Sequence, residues 1–489
     1  METIGELRIV PTPKQVRAAG AVSLYKTELF LLHEEFKTAA EVFTEYAAAL
    51  GIRFTFQKEG AFRIARDPAL SPGSYRLEAG NGRVTVSASD STGANYAFAT
   101  LLQMMKTEAG ESGNVFLADC DMIDAPDCSY RGMMVDLARN WHDFSYLLDY
   151  VDLCYFYKIS VLHLHFTDDQ SYTLPSALFP KLPTEGRSYT PEQIRQLNLY
   201  AEARGVSLMP EIDVPGHCVS FQKEYPHIFG TQGIICQHPE TMEAMQAILH
   251  ELCEMFPYAK YIHIGGDEAQ IENWLKCPQC AEYARSIGVD TAAKDRKPAS
   301  EQLYANFVSK MADAVFSKGK IPVAWEGFSA QVNDLVSKRI ILMSWENYYQ
   351  VTPDLIRAGY QVINCSWNPM YIVTPRPVWP PEEVYRWNIF RWIPVHGGSP
   401  YIGTGLEIEP TDQVIGGQLL AWGDQIPSAF PTIEEGVAAE RDLLLERLPF
   451  VAENTWNKAK SVSFEDITAA SAQINDKLRK IIARAKHTD

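Results

Sequence analysis

From Tyr130 to Trp422 the chain repeats one rhythm. A short apolar or β-branched run ends in polar residues, and an amphipathic helical stretch or a long crossover follows. The runs fall at 132–136, 161–166, 207–212, 261–264, 322–325, 340–345, 361–366 and 413–420, with helix-patterned stretches that include 145–157, 191–204, 240–254, 299–318 and 353–358. Strands joined by crossovers of this length pair in parallel, since an antiparallel return needs only a tight turn. Eight such units predict an α/β chain built on a (β/α)8 TIM barrel. A doubly wound open sheet is the rival, but no glycine-rich phosphate loop follows the first strand.

The flanks read differently. Within 1–125, β-rich pieces at 23–32, 54–56, 75–79 and 84–88 surround helical runs at 34–50 and 93–106, which predicts a small α+β domain with an antiparallel sheet. Asp124-Ala125-Pro126-Asp127 reads as a linker. The barrel is expected over 128–455, with helix 433–448 completing it and 456–489 forming a C-terminal helical appendage.

A net charge of −17 argues against nucleic acid or an anionic membrane as partner. No window approaches about 20 uninterrupted apolar residues, so no membrane-spanning helix is expected. The first residues, Met1-Glu2-Thr3-Ile4-Gly5-Glu6, carry acids where a signal peptide needs a basic region, which makes cytoplasmic residence the expectation. The 9 Cys, an odd number scattered along the chain, suit a reducing compartment. Cys277-Pro278-Gln279-Cys280 lacks an evident second ligand pair for a zinc knuckle, although Cys236 and Cys253 lie upstream. A structural role as packed thiols is expected there.

In such a barrel the C-terminal strand ends converge on one face. In order they offer Arg131, Asp136 and Arg139; His163, His165, Asp168 and Asp169; Glu211, Asp213 and His217; then His263, Asp267 and Glu268. The later ends offer Trp325 with Glu326, Trp345 with Glu346, Tyr371, and Trp422 with Asp424. Acids and histidines fill one half of the mouth and aromatics the other, which suits chemistry on a flat-faced ligand such as a sugar ring. Asp267 and Glu268 are adjacent acids after two glycines. Such a pair is held apart in space or in proton affinity, which is how one site obtains both an acid and a carboxylate. An alternative set, His163, His165, His217 and Asp267, imitates a barrel metallohydrolase, but the bridging Lys expected there is missing.

Leu162-His163-Leu164-His165-Phe166-Thr167-Asp168-Asp169-Gln170, then Pro210-Glu211-Ile212-Asp213-Val214-Pro215-Gly216-His217, then His263-Ile264-Gly265-Gly266-Asp267-Glu268, closely resemble the family 20 glycoside hydrolases, the β-N-acetylhexosaminidases. The resemblance covers about 128–430, and Pro11-Thr12-Pro13 and 96–102 look like that family's small α+β domain. It implies retaining, exo-acting hydrolysis of an oligosaccharide or glycolipid ending in an N-acetylhexosamine, without metal or cofactor. The substrate's own acetamido group supplies the nucleophile.

The same resemblance implies roles. Glu268 would be the general acid and then base, its proton affinity raised by burial. Asp267 would accept the acetamido N–H and Tyr371 would donate to its carbonyl. Arg131 would fork onto the O3 and O4 hydroxyls, Trp325, Trp345 and Trp422 would box the acetamido methyl and ring face, and Asp424 would bind outer hydroxyls. Asp168, Asp213 and His217 would set the charge of the acid pair from behind. His163, His165 and His263 fit either that relay or a satisfied core. Two positions depart from the family pattern: Tyr371-Ile372-Val373 stands where Tyr-x-Asp is usual, and Asp424 stands where Glu is common. Both fall on the edge of the sugar where GlcNAc and GalNAc differ. The aromatic, proline-rich stretch 368–409 reads as a partial lid.

Overall fold

The computed structural model describes residues 7–107 and 113–485. Seven strands precede the barrel: β1 (Gln15–Lys26), β2 (Glu28–Leu31), β3 (Thr55–Phe56), β4 (Phe62–Arg66), β5 (Tyr75–Gly80), β6 (Arg83–Ala88) and β7 (Asn114–Asp124). They lie in the order β1-β7-β5-β6-β4-β2-β3. The sheet is antiparallel from β1 to β6, as expected, and turns parallel through β4, β2 and β3, where the helix Lys37–Ala49 returns the chain in the same direction. In β4, β5 and β6 alternate residues, Phe62, Ile64, Leu77, Val84 and Val86 among them, are buried. The helix Ser91–Met104 starts cleanly because Asp90 accepts from Gly93 N at 2.8 Å.

The barrel follows: β8 (Tyr130–Asp136), β9 (Val161–His165), β10 (Ser207–Glu211), β11 (Tyr261–His263), β12 (Ile321–Trp325), β13 (Ile341–Ser344) and β14 (Gln361–Asn364), then β15 (Tyr371–Val373), a short ribbon β16 (Arg391–Trp392) with β17 (Leu406–Glu407), and β18 (Val414–Trp422). All barrel neighbours are parallel, and β18 closes the ring by pairing with β8 on one side and β14 on the other. Nearly every barrel residue is buried because helices cover the outside and side chains fill the inside. The seventh stave is broken. β14 and β15 both pair with β18, and residues 365–370 leave the ladder between them. Among the described residues no helix is long and apolar enough to cross a membrane.

Most of 368–409 is not a lid. It carries the helix Pro381–Arg386 and the β16–β17 ribbon, and it buries Trp387 and Trp392, whose Nε1 donates to Ser344 O at 3.1 Å. Its aromatic weight is core packing. The C-terminal helix Phe464–Ala485 packs between the barrel helix Phe144–Phe156 and the N-terminal domain, where Lys477 Nζ donates to the carbonyls of Leu102, Gln103 and Met105.

The structure also moves Arg131. It lies near the start of β8, with about 17 Å of strand between it and the mouth. It is 2% exposed, donates to Lys158 O at 2.9 Å, Cys128 O at 2.8 Å and the Tyr96 hydroxyl, and sits over the Tyr96 and Trp456 rings. Beside it Lys158 Nζ meets Asp124 Oδ2 at 3.3 Å, and Trp456 Nε1 donates to Asp124 Oδ1 at 2.8 Å. This knot ties the barrel floor to the N-terminal domain and the last barrel helix. Arg131→Ala leaves buried carbonyls without donors and is expected to cost about 3 kcal/mol of unfolding free energy. A urea midpoint unchanged from the parent would show that the guanidinium holds nothing.

Candidate active site

At the C-terminal ends of the strands a cavity of about 320 Å³ opens to solvent. Asp267, Glu268 and Arg139 line one side, Trp345, Trp367, Tyr371 and Trp422 the other, and Val373, Pro377, Asp424 and Gln425 complete the edge.

The acid pair is placed by backbone that only glycine permits. Gly265 has φ +69, and a Cβ there would stand 2.1 Å from Asp213 Oδ1. The ladder nonetheless continues, with Trp325 N donating to Gly265 O at 2.9 Å, and the Tyr304 hydroxyl fastens Gly266 O. Beyond this turn Asp267 is buried at 9% exposure, while the Glu268 side chain is 58% exposed. Glu268 at φ +50 and His217 at φ +46 both occupy the left-handed region, where non-glycine residues are strained. These two face each other, His217 Nε2 lying 3.5 Å from Glu268 Oε2.

Behind them runs a chain of charges. His217 Nδ1 lies 3.3 Å from Asp168 Oδ1. Asp168 Oδ2 accepts from His165 Nε2 at 3.0 Å and pairs with Arg139 Nη2 at 2.8 Å. His165 Nδ1 meets Glu211 Oε2 at 2.5 Å, and Glu211 also holds His263 Nδ1 and Trp325 Nε1, each at 2.7 Å. Burial alone would raise the Asp168 carboxyl, but His165, His217 and Arg139 outweigh it and hold it well below the usual range. His217 is pushed far up: burial opposes its charge, and Asp213, Asp168 and Glu268 overcome that. Asp213 is raised well above the carboxylate range by burial and then by Asp267.

The acid pair is split in the direction opposite to the expected one. Burial, reinforced by the Glu268 charge, raises Asp267 to about 6, whereas the hydrogen bond from His217 lowers Glu268. The cause is exposure: water and an imidazolium favour the Glu268 carboxylate as long as nothing covers the mouth.

The aromatic wall is a stack. Tyr371 lies 4.2 Å from Trp367 and 6.1 Å from Trp345, at interplanar angles of 29° and 18°, with Trp422 at 5.9 Å. Trp345 is held from behind by Glu326, whose buried carboxyl accepts from the backbone of Trp345 and Asn347 and from Ser344 Oγ. Several polar atoms at this mouth are left over, Trp422 Nε1 among them. Asp267 Oδ1 is buried without a partner, and the Tyr371 hydroxyl makes no hydrogen bond among the described residues.

Of the residues expected here, Asp267, Glu268, Tyr371, Trp345, Trp422 and Asp424 line the cavity, and Asp168, Asp213, His217 and His263 stand behind it. Trp325 lies one layer below, against His263 at 4.7 Å and Trp422 at 6.2 Å. The residue at the mouth in Arg131's place is Arg139, three residues past the end of β8, which pairs with Asp136, Asp168 and Asp424 and covers the Trp422 ring. Trp367, in the break of the seventh stave, carries no periodic signal. His163 and His165 turn onto Glu211 while His217 sits with Asp267 and Glu268, so the metallohydrolase set does not converge.

The family model described as "Glycosyl hydrolase family 20, catalytic domain" matches residues 128–459, and "Glycosyl hydrolase family 20, domain 2" matches 6–119. A beta-hexosaminidase of Akkermansia muciniphila is 33% identical over 289 residues, covering 53% of this chain and 56% of that protein. One from Vibrio furnissii is 28% identical, covering 61% and 52%. The chain thus spans little more than half the length of these curated relatives. Among solved structures, an exo beta-N-acetylglucosaminidase of Vibrio harveyi in complex with N-acetylglucosamine superposes with a TM-score of 0.81 at 22% identity, over 97% of this chain and 77% of that one. A beta-N-acetylhexosaminidase of Bacteroides fragilis gives 0.78 at 21% identity, over 97% and 96%. With two thirds of its length matched by the catalytic-domain model alone, the chain belongs to glycosyl hydrolase family 20.

Proposed function

We propose that this chain is a retaining exo-β-N-acetylhexosaminidase that removes terminal GlcNAc or GalNAc by substrate-assisted catalysis. The observation that carries this reading is the pair of unspent polar atoms, Asp267 Oδ1 and the Tyr371 hydroxyl, beside an aromatic wall. An acetamido group complements all three. Its N–H suits Asp267, its carbonyl oxygen suits Tyr371, and its methyl packs against Trp345, Trp367 and Trp422. The names of the relatives agree with that substrate.

In this mechanism the Glu268 carboxyl gives its proton to the glycosidic oxygen as the C1–O bond breaks, and the acetamido oxygen bonds to C1. The alcohol leaves. The Glu268 carboxylate then takes a proton from water, which opens the oxazolinium ring at C1, and two inversions amount to retention. Glu268 starts ionised beside a charged His217. A sugar over the mouth expels water, and in the drier site a neutral acid and imidazole cost less than an ion pair, so the proton passes from His217 to Glu268. Arg139 and Asp424 address the ring hydroxyls, with Val373 supplying an apolar edge where the family usually places an acid.

Glu268→Gln is expected to lower kcat/KM on an aryl N-acetylglucosaminide by about 10²–10⁴-fold; parental activity in that variant would end the mechanism. Asp267→Asn should damage cleavage of the N-acetylglucosaminide, and equal rates on the plain aryl glucoside would sink assistance by the acetamide. Asp267 is held up at about 6 by burial, so it gains a proton and loses its acceptor as pH falls. The acidic limb of kcat/KM should therefore titrate near that value and disappear in Asp267→Asn, whereas a profile flat from about pH 5 to 7 removes Asp267 as the amide acceptor.

A further inference from the structure

Three thiols stand together outside the sugar cavity. Cys277 is the N-cap of the helix Pro278–Ser286 and Cys280 lies in its first turn. Cys236 comes from the loop after β10, and its Sγ and the other two all lie within 4.8 Å of one another. Sulfurs bound to one tetrahedral zinc at about 2.3 Å stand about 3.8 Å apart, so the triangle is already near ligand spacing. Cys236 and Cys280 are buried, Cys277 is half-buried, and all three are free thiols.

The surroundings suit anionic sulfur better than packed hydrocarbon. Gln237 N–H donates to Cys280 Sγ at 3.2 Å, and the helix start brings its partial positive charge to the same spot. Gly230, at φ +89, passes so close that a Cβ there would stand 2.5 Å from Cys236 Sγ. Two nearby hydrogen bonds join the same segments: Trp274 Nε1 donates to Ile235 O at 2.7 Å and Asn273 Nδ2 to Gln232 O at 3.1 Å.

We propose that Cys236, Cys277 and Cys280 bind one zinc ion as three thiolates, with water in the fourth position beside the half-buried Cys277. Binding releases three thiol protons and leaves a net charge of −1, which the Gln237 N–H and the helix terminus offset. No electron is transferred. The ion clamps the loop that carries His217 to the segment that follows Asp267 and Glu268, and it takes no part in bond breaking. The site stands independently of the hydrolase reading.

The test uses the full chain, purified under reducing conditions without chelator, loaded with zinc and desalted. About one zinc per chain is expected, released on titration of the thiols by a mercurial and read with a chromogenic chelator. Cobalt in its place should give a thiolate-to-cobalt absorption in the near ultraviolet. Cys236→Ser and Cys280→Ser should each lower the retained zinc at least about tenfold. If those variants do not fold, the mercurial titration and the cobalt spectrum of the unaltered chain decide alone. Zinc below about a tenth of an equivalent after loading, or full zinc retained in both folded variants, overturns the site. A disulfide among these cysteines in the reduced, purified chain does so as well.

Discussion

The mouth of the barrel depends on one carboxylate with no access to water. Glu211 ends β10 fully buried, a position that on its own would drive it to take a proton. Burial is outweighed by His263, His165 and His163, and the acid is held well below its ordinary range. Each partner that satisfies Glu211 is thereby fixed in orientation. His165, bound through Nδ1, presents Nε2 to Asp168; Asp168 then holds His217 and Arg139, and these reach Glu268 and Asp424. Trp325, bound through its indole N–H, becomes the floor under Trp422. Strand ends far apart in sequence are thus aligned by one buried charge and its hydrogen bonds, a network whose parts stabilise one another in a low dielectric.

The barrel was legible because its signal is periodic and repeated: eight apolar runs with polar ends lie within a few residues of the observed strands. The acid pair was legible through its company: adjacent acids alone are common on surfaces, but this pair ends one of several strands that carry acids, histidines or aromatics at the same end. What failed was resolution along a strand. Arg131 and Arg139 flank the same run, and only the direction of the barrel says that the first belongs to the floor and the second to the mouth. Trp325 and Trp367 show the converse error. A Trp at a strand end can turn inward, as Trp325 does onto Glu211, while a Trp in an irregular break has no period to announce it. The proton affinities of Asp267 and Glu268 lay out of reach too, since they depend on which of two neighbouring side chains faces water.

The two ends of the barrel handle charge by different means. At the floor, Arg131 and Lys158 are wrapped by Tyr96, Tyr75, Trp456 and the Asp124 carboxylate, with nearly every donor satisfied. That arrangement is rigid and closed. At the mouth, Asp267 Oδ1, Asp213 Oδ1 and Trp422 Nε1 are buried without partners, and Glu268 and His217 sit in strained backbone. Unsatisfied groups and left-handed dihedrals cost stability, and the satisfied floor offsets part of that cost.

The broken seventh stave separates two duties that a continuous strand would combine. β14 pairs with β18 at Val362–Asn364, so the hydrogen-bonded ring closes without the segment that begins at Trp367. β15 is then laid on the upper half of β18 as an additional piece, and it brings Tyr371 and Val373 to the rim. Two side chains that line the cavity are therefore mounted on a segment that the closed cylinder does not need. A change of length or side chain in β15 thus alters the lining of the mouth and leaves the pairing of β14 with β18 in place.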